Sequence, residues 1–163
     1  MFENLDKTWK SEFRGIFLGE GSAFLNVERN SKYKEIPMIR AHLTINMRHD
    51  EVVFIQSIKT ILGVGSIQVI HNSQYSSSGS RDQIRWNTRS PEHIKAILEE
   101  ILIPRALPCQ KVKDFLIILK FCDLRLSLPY LLGETNRQIL LDFYYQVFKV
   151  HRAIKPSFCY TQE

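Results

Sequence analysis

Residues 13–22 read FRGIFLGEGS, and they are the most informative segment of the sequence. It closes a helix predicted over residues 7–19, where apolar side chains recur at spacings of three and four; they are Trp9, Phe13, Ile16 and Phe17. Gly15 in the interior of such a helix costs about 0.5–1 kcal/mol relative to alanine. Glu20 lies at the negative end of the helix dipole, which costs roughly 0.3–1 kcal/mol more. A sequence that breaks local rules in one place usually does so for a function.

The two glycines and the glutamate share one physical explanation. Gly15 and Gly19 are four residues apart on one helix face, so a second helix can approach with its backbone almost in contact. Glu20 then projects from the base of the helix pair, where two such carboxylates repel each other unless divalent cations lie between them. Mg²⁺ takes oxygen ligands and suits this arrangement. An ordinary helix-to-strand turn would explain residues 19–21 alone, but the whole stretch favours a functional site.

Alternation of polar and apolar residues after this stretch predicts two β-hairpins. The first strand covers residues 22–30, with Ala23, Leu25 and Val27 on one side and Phe24, Asn26, Glu28 and Asn30 on the other. The second strand lies near 37–47, where Ile39, Ala41, Leu43 and Ile45 oppose Arg40, His42, Thr44 and Asn46. The second hairpin joins strands near 65–72 and 81–88 through a serine-rich loop, and its Gln83, Arg85 and Asn87 face outward.

Helices are predicted between and after the hairpins. The second helix covers about 50–62 and ends at Gly63, and the third begins after Ser90 and ends before Pro104. Two more follow, at roughly 110–125 and 134–151. The order α-ββ-α-ββ-α, with two further helices, predicts an α+β protein of one domain over residues 1–163.

Composition narrows the class of protein. The chain has 163 residues, 44% of them hydrophobic and 24% charged, which is typical of a globular protein without a membrane span. Three cysteines without a CxxC pair predict reduced thiols, and the histidines lack zinc-ligand spacing. No signal peptide is expected, so we expect an intracellular location, either the cytoplasm or nucleoid of a prokaryote or an organelle matrix, and no secretion.

The positive charge concentrates in the predicted sheet. The net charge is +5, and residues 23–90 hold nine Lys or Arg against five Asp or Glu. This distribution agrees with a surface that binds a polyanion such as nucleic acid.

Three segments together resemble a known family. They are FRGIFLGEGS at 13–22, ILGVGSI at 61–67 and LPCQKVKDFLIIL at 107–119. From about Trp9 to about Phe121 the chain resembles the LAGLIDADG homing endonucleases in their single-motif, homodimeric form. The resemblance implies the αββαββα homing-endonuclease fold, with a saddle-shaped antiparallel sheet, helices on its convex face and extra C-terminal helices. It also implies double-stranded DNA in the concave face and a homodimer that completes the paired active sites.

The resemblance assigns roles within the motif. Glu20 matches the acidic metal ligand, with Gly19 beside it, and the expected cation is Mg²⁺, for which Mn²⁺ or Ca²⁺ can substitute in binding. Gly15 and Gly19 match the glycines of the dimer interface, and Phe13 and Ile16 are expected to accompany them. Arg14 and Leu18 depart from the family pattern, where a small and an acidic residue are usual, and both are expected to alter the dimer seam.

The resemblance also implies two polar groups near the metal. A basic residue is expected after the third helix; Lys111 is the first choice, with Lys113 and Gln110 as alternatives. A polar residue that orders water is expected near the end of the second strand, where Asn46 is favoured over Met47.

Outward-facing residues of the strands are the expected readers of DNA, because Arg pairs with guanine edges and Asn or Gln with adenine in the major groove. The candidates are Asn26, Glu28, Asn30, Arg40, His42, Thr44, Gln68, Gln83 and Arg85, with Lys32, Tyr33 and Lys34 in the first turn. The prediction is therefore a metal-dependent, site-specific double-strand DNA endonuclease. An RNA maturase or a non-cleaving DNA-binding regulator on the same fold is the alternative, and a generic α+β dimer with a basic sheet is the third.

Overall fold

The computed structural model describes residues 1–28, 36–71 and 82–150, with side chains as far as residue 147. The helices are α1 Lys7–Glu20, α2 Val52–Leu62, α3 Pro91–Ile97, α4 Gln110–Ser127 and α5 Glu134–Val150. The strands are β1 Gly21–Glu28, β2 Met38–Arg48, β3 Ser66–Ile70 and β4 Gln83–Thr88. The predicted α+β order, αββαββα with two further helices, is confirmed.

The four strands form one antiparallel sheet in the order β1-β2-β4-β3. Both predicted hairpins are present as the pairs β1–β2 and β3–β4. They are joined along β2 and β4, where Ile45 lies opposite Trp86. This central pairing sets the register of the two hairpins, and so it fixes which outward side chains stand side by side across the sheet.

In the described residues, the helices cover one face of this sheet. Leu25, Leu43 and Trp86 from that face are buried, and they join Phe13 and Phe17 of α1 in the core. Trp86 packs edge-on against Phe13, and its indole N–H donates to the carbonyl of Val64 at 3.0 Å. The opposite face carries the polar side chains that the alternation predicts.

Local chemistry explains where several elements begin and end. The Asp6 carboxylate accepts hydrogen bonds from the N–H groups of Thr8 and Trp9, which starts α1. A 3-10 turn over His49–Glu51 precedes α2, and Gly63 ends that helix in the left-handed conformation at φ 65°. Beyond Ile97, α3 widens into a π turn over Leu98–Leu102 and stops before Pro104, as predicted.

The structure bears on the expectations about membrane spans and cysteines. Within the described residues, every helix is too short or too polar to cross a bilayer. Cys109 and Cys122 are free thiols, and burial raises the pKa of Cys122 to about 12. Cys159 lies outside the described residues. That one domain spans residues 1–163 stays a prediction.

Candidate active site

Glu20 is the last residue of α1 and its side chain is exposed. The next residue, Gly21, already belongs to β1, and its N–H donates to the carbonyl of Phe17. A Cβ at Gly21 would lie 2.6 Å from the ring of Phe17, so only glycine allows the strand to leave the helix here without a shift. The carboxylate is therefore held at a direct junction between a helix and the sheet.

Lys111, at the start of α4, is bound to the end of α1. Its Nζ donates to the carbonyls of Phe17 at 3.3 Å, Leu18 at 2.6 Å and Gly21 at 2.9 Å. These contacts give the carbonyls at the junction of α1 and β1 a charged donor, and they place a positive charge at the negative end of the helix dipole. The structure thus brings Lys111 to the residues on both sides of Glu20.

The two alternatives to Lys111 do not share these contacts. The Gln110 amide donates to Asp114 within its own helix, at 3.1 Å, and Lys113 is exposed. Both belong to α4 with Lys111, but Lys111 is the one that the structure ties to the end of α1.

Asn46 lies beside Glu20 through the strand register. Gly21 pairs with Ile45, so the preceding residue Glu20 adjoins Asn46, the next residue of β2. Asn46 in turn lies opposite Arg85, whose Nε donates to the Asn46 Oδ1 at 2.6 Å. Arg85 pairs on its other side with Gln68. Asn46, Arg85 and Gln68 therefore form one polar row across the sheet, and Glu20 immediately precedes the strand at the edge of this row.

The alternative alignment to Met47 is not supported by its position. Met47 lies opposite Ile84 and packs against the core, so its side chain is on the covered face.

Glu20 belongs to no cluster of three metal-binding side chains in the described residues. Among the described residues, no group of three or more His, Cys, Asp or Glu side chains is placed to hold a metal. Gly19, the other predicted metal residue, can offer only its carbonyl oxygen. Mg²⁺ is commonly held by one or two carboxylates together with waters and substrate phosphates. One chain thus supplies oxygen donors that fit part of such a site.

One face of α1 is open. It consists of Thr8, Ser11, Glu12, Gly15 and Gly19, all exposed; this set is called the open face below. Nothing lies within 4 Å of a Cβ placed on Gly15 or Gly19. No contact among the described residues therefore requires glycine at these two positions.

The prediction for Phe13 is wrong. Phe13 is 1% exposed and packs between Trp9, with ring centroids 5.1 Å apart, and Trp86 at 6.3 Å. Two residues turn an α-helix by about 200°, so Phe13 and Gly15 point in opposite directions. Ile16 is half-buried at the edge of the open face.

Arg14 lies away from the open face, because its Nε donates to the carbonyl of Ile101 at 2.8 Å, in the π turn that follows α3. Leu18 lies at the edge of the open face opposite Ile16 and packs partly buried against the core. That Arg14 alters the dimer seam is not supported by its position, and the same expectation for Leu18 stays a prediction.

The uncovered face of the sheet carries six of the predicted DNA readers, namely Asn26, Glu28, Arg40, Gln68, Gln83 and Arg85. His42 and Thr44 lie on the same face but are only 5% and 4% exposed, because neighbouring side chains cover the middle of β2. As direct readers of bases these two predictions are wrong for this conformation. Asn30, Lys32, Tyr33 and Lys34 lie outside the described residues.

Charges on this face are partly paired. Arg40 contacts Glu28 at 2.8 Å, and Arg89 approaches the same carboxylate at 4.0 Å. Burial, and then the guanidinium groups of Arg89, Arg40 and Arg85, lower the pKa of His42 to about 4. His42 is therefore neutral at physiological pH.

Solved structures with the same backbone arrangement come from DNA-cutting proteins. I-SmaMI bound to an uncleaved DNA target with calcium ions matches with a TM-score of 0.69 and 21% identity, over 94% of this chain and 47% of that one. The homing endonuclease I-TnaI matches with a TM-score of 0.66 and 14% identity, over 91% and 89%. I-CvuI in complex with its target and 2 mM calcium matches with 0.69 and 14%, over 93% and 87%. The chain has the LAGLIDADG homing-endonuclease fold.

Coverage differs among these structures. The chain spans 47% of the length of I-SmaMI, so it corresponds to about half of that protein, but it spans 89% of I-TnaI. Neither a protein-family model nor a curated protein sequence matches the chain. The likeness is therefore one of fold.

Within the LAGLIDADG fold, sequence reasoning missed two residues of the uncovered face. Arg89 follows Arg85 and Asn87 at the same spacing of two, so the alternation was the signal that could have found it. Phe24 was assigned to the outward side of β1, but it was passed over as a candidate because it is apolar.

Proposed function

We propose that this chain is a metal-dependent, site-specific double-strand DNA endonuclease that works as a homodimer. The observation that carries the proposal is the position of Glu20, which is exposed where α1 enters the sheet, between the open face and the polar row. I-CvuI, which has the same fold, has been solved with DNA in the presence of calcium or of magnesium. Such a substrate implies a compartment that contains DNA.

The carboxylate of Glu20 would hold the cation, with the carbonyl of Gly19 as a further oxygen donor. Mg²⁺ supplies polarisation of the phosphoryl oxygen, an activated water and stabilisation of the leaving 3′ oxygen, and Mn²⁺ or Ca²⁺ can replace it for binding. Lys111 fixes the end of the helix, so Glu20 leaves it in one direction. Asn46 keeps its amide N–H₂ free of Arg85, and we infer that this group orders water next to Glu20.

The homodimer follows from the open face. Two copies of α1 can cross at Gly15 and Gly19, because no side chain separates their backbones. Each copy then brings one Glu20 to the same place, so that two carboxylates can share the site. The two carboxylates would repel each other without a cation, and so dimerisation and metal binding support one another.

The uncovered sheet face would read the DNA. A strand of eight residues, such as β1, spans roughly 26 Å and so reaches across about eight base pairs. Two symmetric copies would cover a long, nearly palindromic site. Because much of the affinity would come from arginine and lysine contacts with phosphates, binding should weaken steeply as salt rises.

Cleavage by Glu20→Gln tests the proposal. The target is first selected from random duplexes in Ca²⁺, and cleavage is then measured in Mg²⁺. We expect Glu20→Gln to bind this duplex but to cut it at least about 100-fold more slowly, since the metal loses its charged ligand. The matched control is Glu99→Gln, an exposed carboxylate on the helical side, which should cut like the wild type.

Two outcomes would contradict the proposal. Equal cleavage by Glu20→Gln and wild type would show that the reaction does not need Glu20. Tight binding of structured RNA, with no metal-dependent nicking of any duplex, would favour an RNA maturase instead.

A further inference from the structure

An aromatic pair interrupts the polar face of the sheet. Phe24 of β1 and His42 of β2 are register partners, and their rings stack at a centroid distance of 5.0 Å and an interplanar angle of 7°. The chain neighbours of Phe24, Ala23 and Leu25, point into the core, so the ring of Phe24 lies on the opposite, uncovered face.

The core does not account for Phe24. It is half-buried, and it is absent from the apolar side chains that pack against the core in the described residues. His42, on which Phe24 stacks, also lacks a hydrogen bond, since its Nε2 is buried without a hydrogen-bond partner in the described part of the chain. The Glu28 carboxylate comes no closer to it than 3.9 Å.

The pair forms an uncharged patch with charge around it. Arg40 and Arg89 lie on the same face, near enough to help hold His42 neutral. An apolar ring set among guanidinium groups offers no hydrogen bond to a base edge, but it offers a surface for an apolar group. In the major groove, the C5 methyl of thymine is the apolar group that distinguishes one base from the others.

We propose that Phe24 recognises the methyl group of one thymine in each half-site of the target. This inference rests on the proposed function, because it needs duplex DNA in the uncovered face. Phe24 lies four residues beyond Glu20 along β1. At the rise of a strand this is about 13 Å, so the thymine should lie about four base pairs from the cleaved phosphodiester.

The test replaces thymines of the selected target, one symmetric pair at a time, with deoxyuridine, which lacks only the methyl group. Affinity is measured with the wild-type protein in Ca²⁺. We expect Kd to rise about fourfold per half-site at the pair about four base pairs from the cut, the value of one buried methyl group. This scan needs no protein variant, so a folding defect cannot obscure it.

Phe24→Ala then assigns the effect to the ring. This variant should bind the thymine and deoxyuridine targets equally at that position. Ser22→Ala is the matched control, on the same strand and face, and it should keep the wild-type difference between the two targets.

Three outcomes would overturn the inference while leaving the endonuclease proposal intact. They are specific binding that is indifferent to every deoxyuridine, a selected target without thymine at that place, and a deoxyuridine effect that persists in Phe24→Ala. Absence of any sequence-specific duplex binding would instead overturn both, and it is recognised because all targets then bind alike.

Discussion

The two faces of α1 differ in how their residues are packed. Phe13 and Phe17 on one face are almost fully buried, and each contacts other aromatic rings of the same chain. On the other face, Gly15 and Gly19 meet nothing within 4 Å, although glycine weakens a helix. Packing within a single chain explains the residues of the first face. The second has no explanation in the described part of the chain, and the crossing helix of the proposed homodimer would explain it.

Phe13→Ala should produce the largest loss of stability. The ring fills a space between Trp9 and Trp86, and its removal leaves a cavity, so we expect the free energy of unfolding to fall by about 3–5 kcal/mol. Urea denaturation measures this loss. If the loss stayed within 1 kcal/mol, Phe13 would not belong to the core face and the contrast between the two faces would fail.

Lys111→Met tests the contacts at the C-terminal end of α1. Three carbonyls lose their charged donor, and we expect a loss of about 1.5–3 kcal/mol in the free energy of unfolding. The matched control is Lys113→Met, two residues away and exposed, which should change stability by no more than about 0.5 kcal/mol. Equal losses from both variants would show that Lys111 does not bind the helix end.

The sheet shows a similar contrast at His42, which lies on the uncovered face but is buried. Its pKa is about 4 in the folded chain against an ordinary 6.5, so the unfolded chain takes up the proton first. This contribution to stability is complete above about pH 6.5 and is lost as pH falls toward 4. Between pH 8 and pH 5 we expect His42 to account for a loss of about 2 kcal/mol.

His42→Phe provides the control for this pH effect. Urea denaturation at the two pH values should show a smaller loss for the variant than for the wild type. An identical pH dependence in both proteins would mean that His42 is not held neutral by its surroundings.

Gly15→Ala should have the smallest effect on the chain itself, and it has the opposite sign. With free space around it, the added methyl group should raise helix stability by about 0.5–1 kcal/mol. Self-association should weaken at the same time, because the methyl group lies in the helix crossing. Sedimentation equilibrium measures the association. A variant that dimerises as well as the wild type would contradict the role given to the open face.

Much of the fold could be predicted because local signals were strong. The change from helical to alternating spacing at Glu20 and Gly21 marked the junction of α1 and β1 within one residue. The open face could be predicted because Gly15 breaks a local rule and Gly19 lies on the same face of the helix. Phe13 belongs to the same apolar stripe as Phe17, and the structure shows that this stripe faces the core and not the helix crossing.

The remaining errors arise from tertiary structure. Alternation places His42 and Thr44 on the correct face, but β2 lies inside the sheet, and its neighbours cover them. The contacts of Lys111 join residues about 90 positions apart, which no local pattern reveals. The resemblance of the segment at 107–119 predicts Lys111, and the structure adds which carbonyls it contacts.

In the proposed reaction Glu20 binds the cation at the DNA, and counting the bound metal tests this role without relying on cleavage. Mn²⁺ bound to the complex of protein and a non-hydrolysable target is measured by electron paramagnetic resonance for wild type and Glu20→Gln. We predict bound Mn²⁺ in the wild-type complex and its loss in the variant, with the DNA still bound. Equal amounts of bound Mn²⁺ in both complexes would contradict the account.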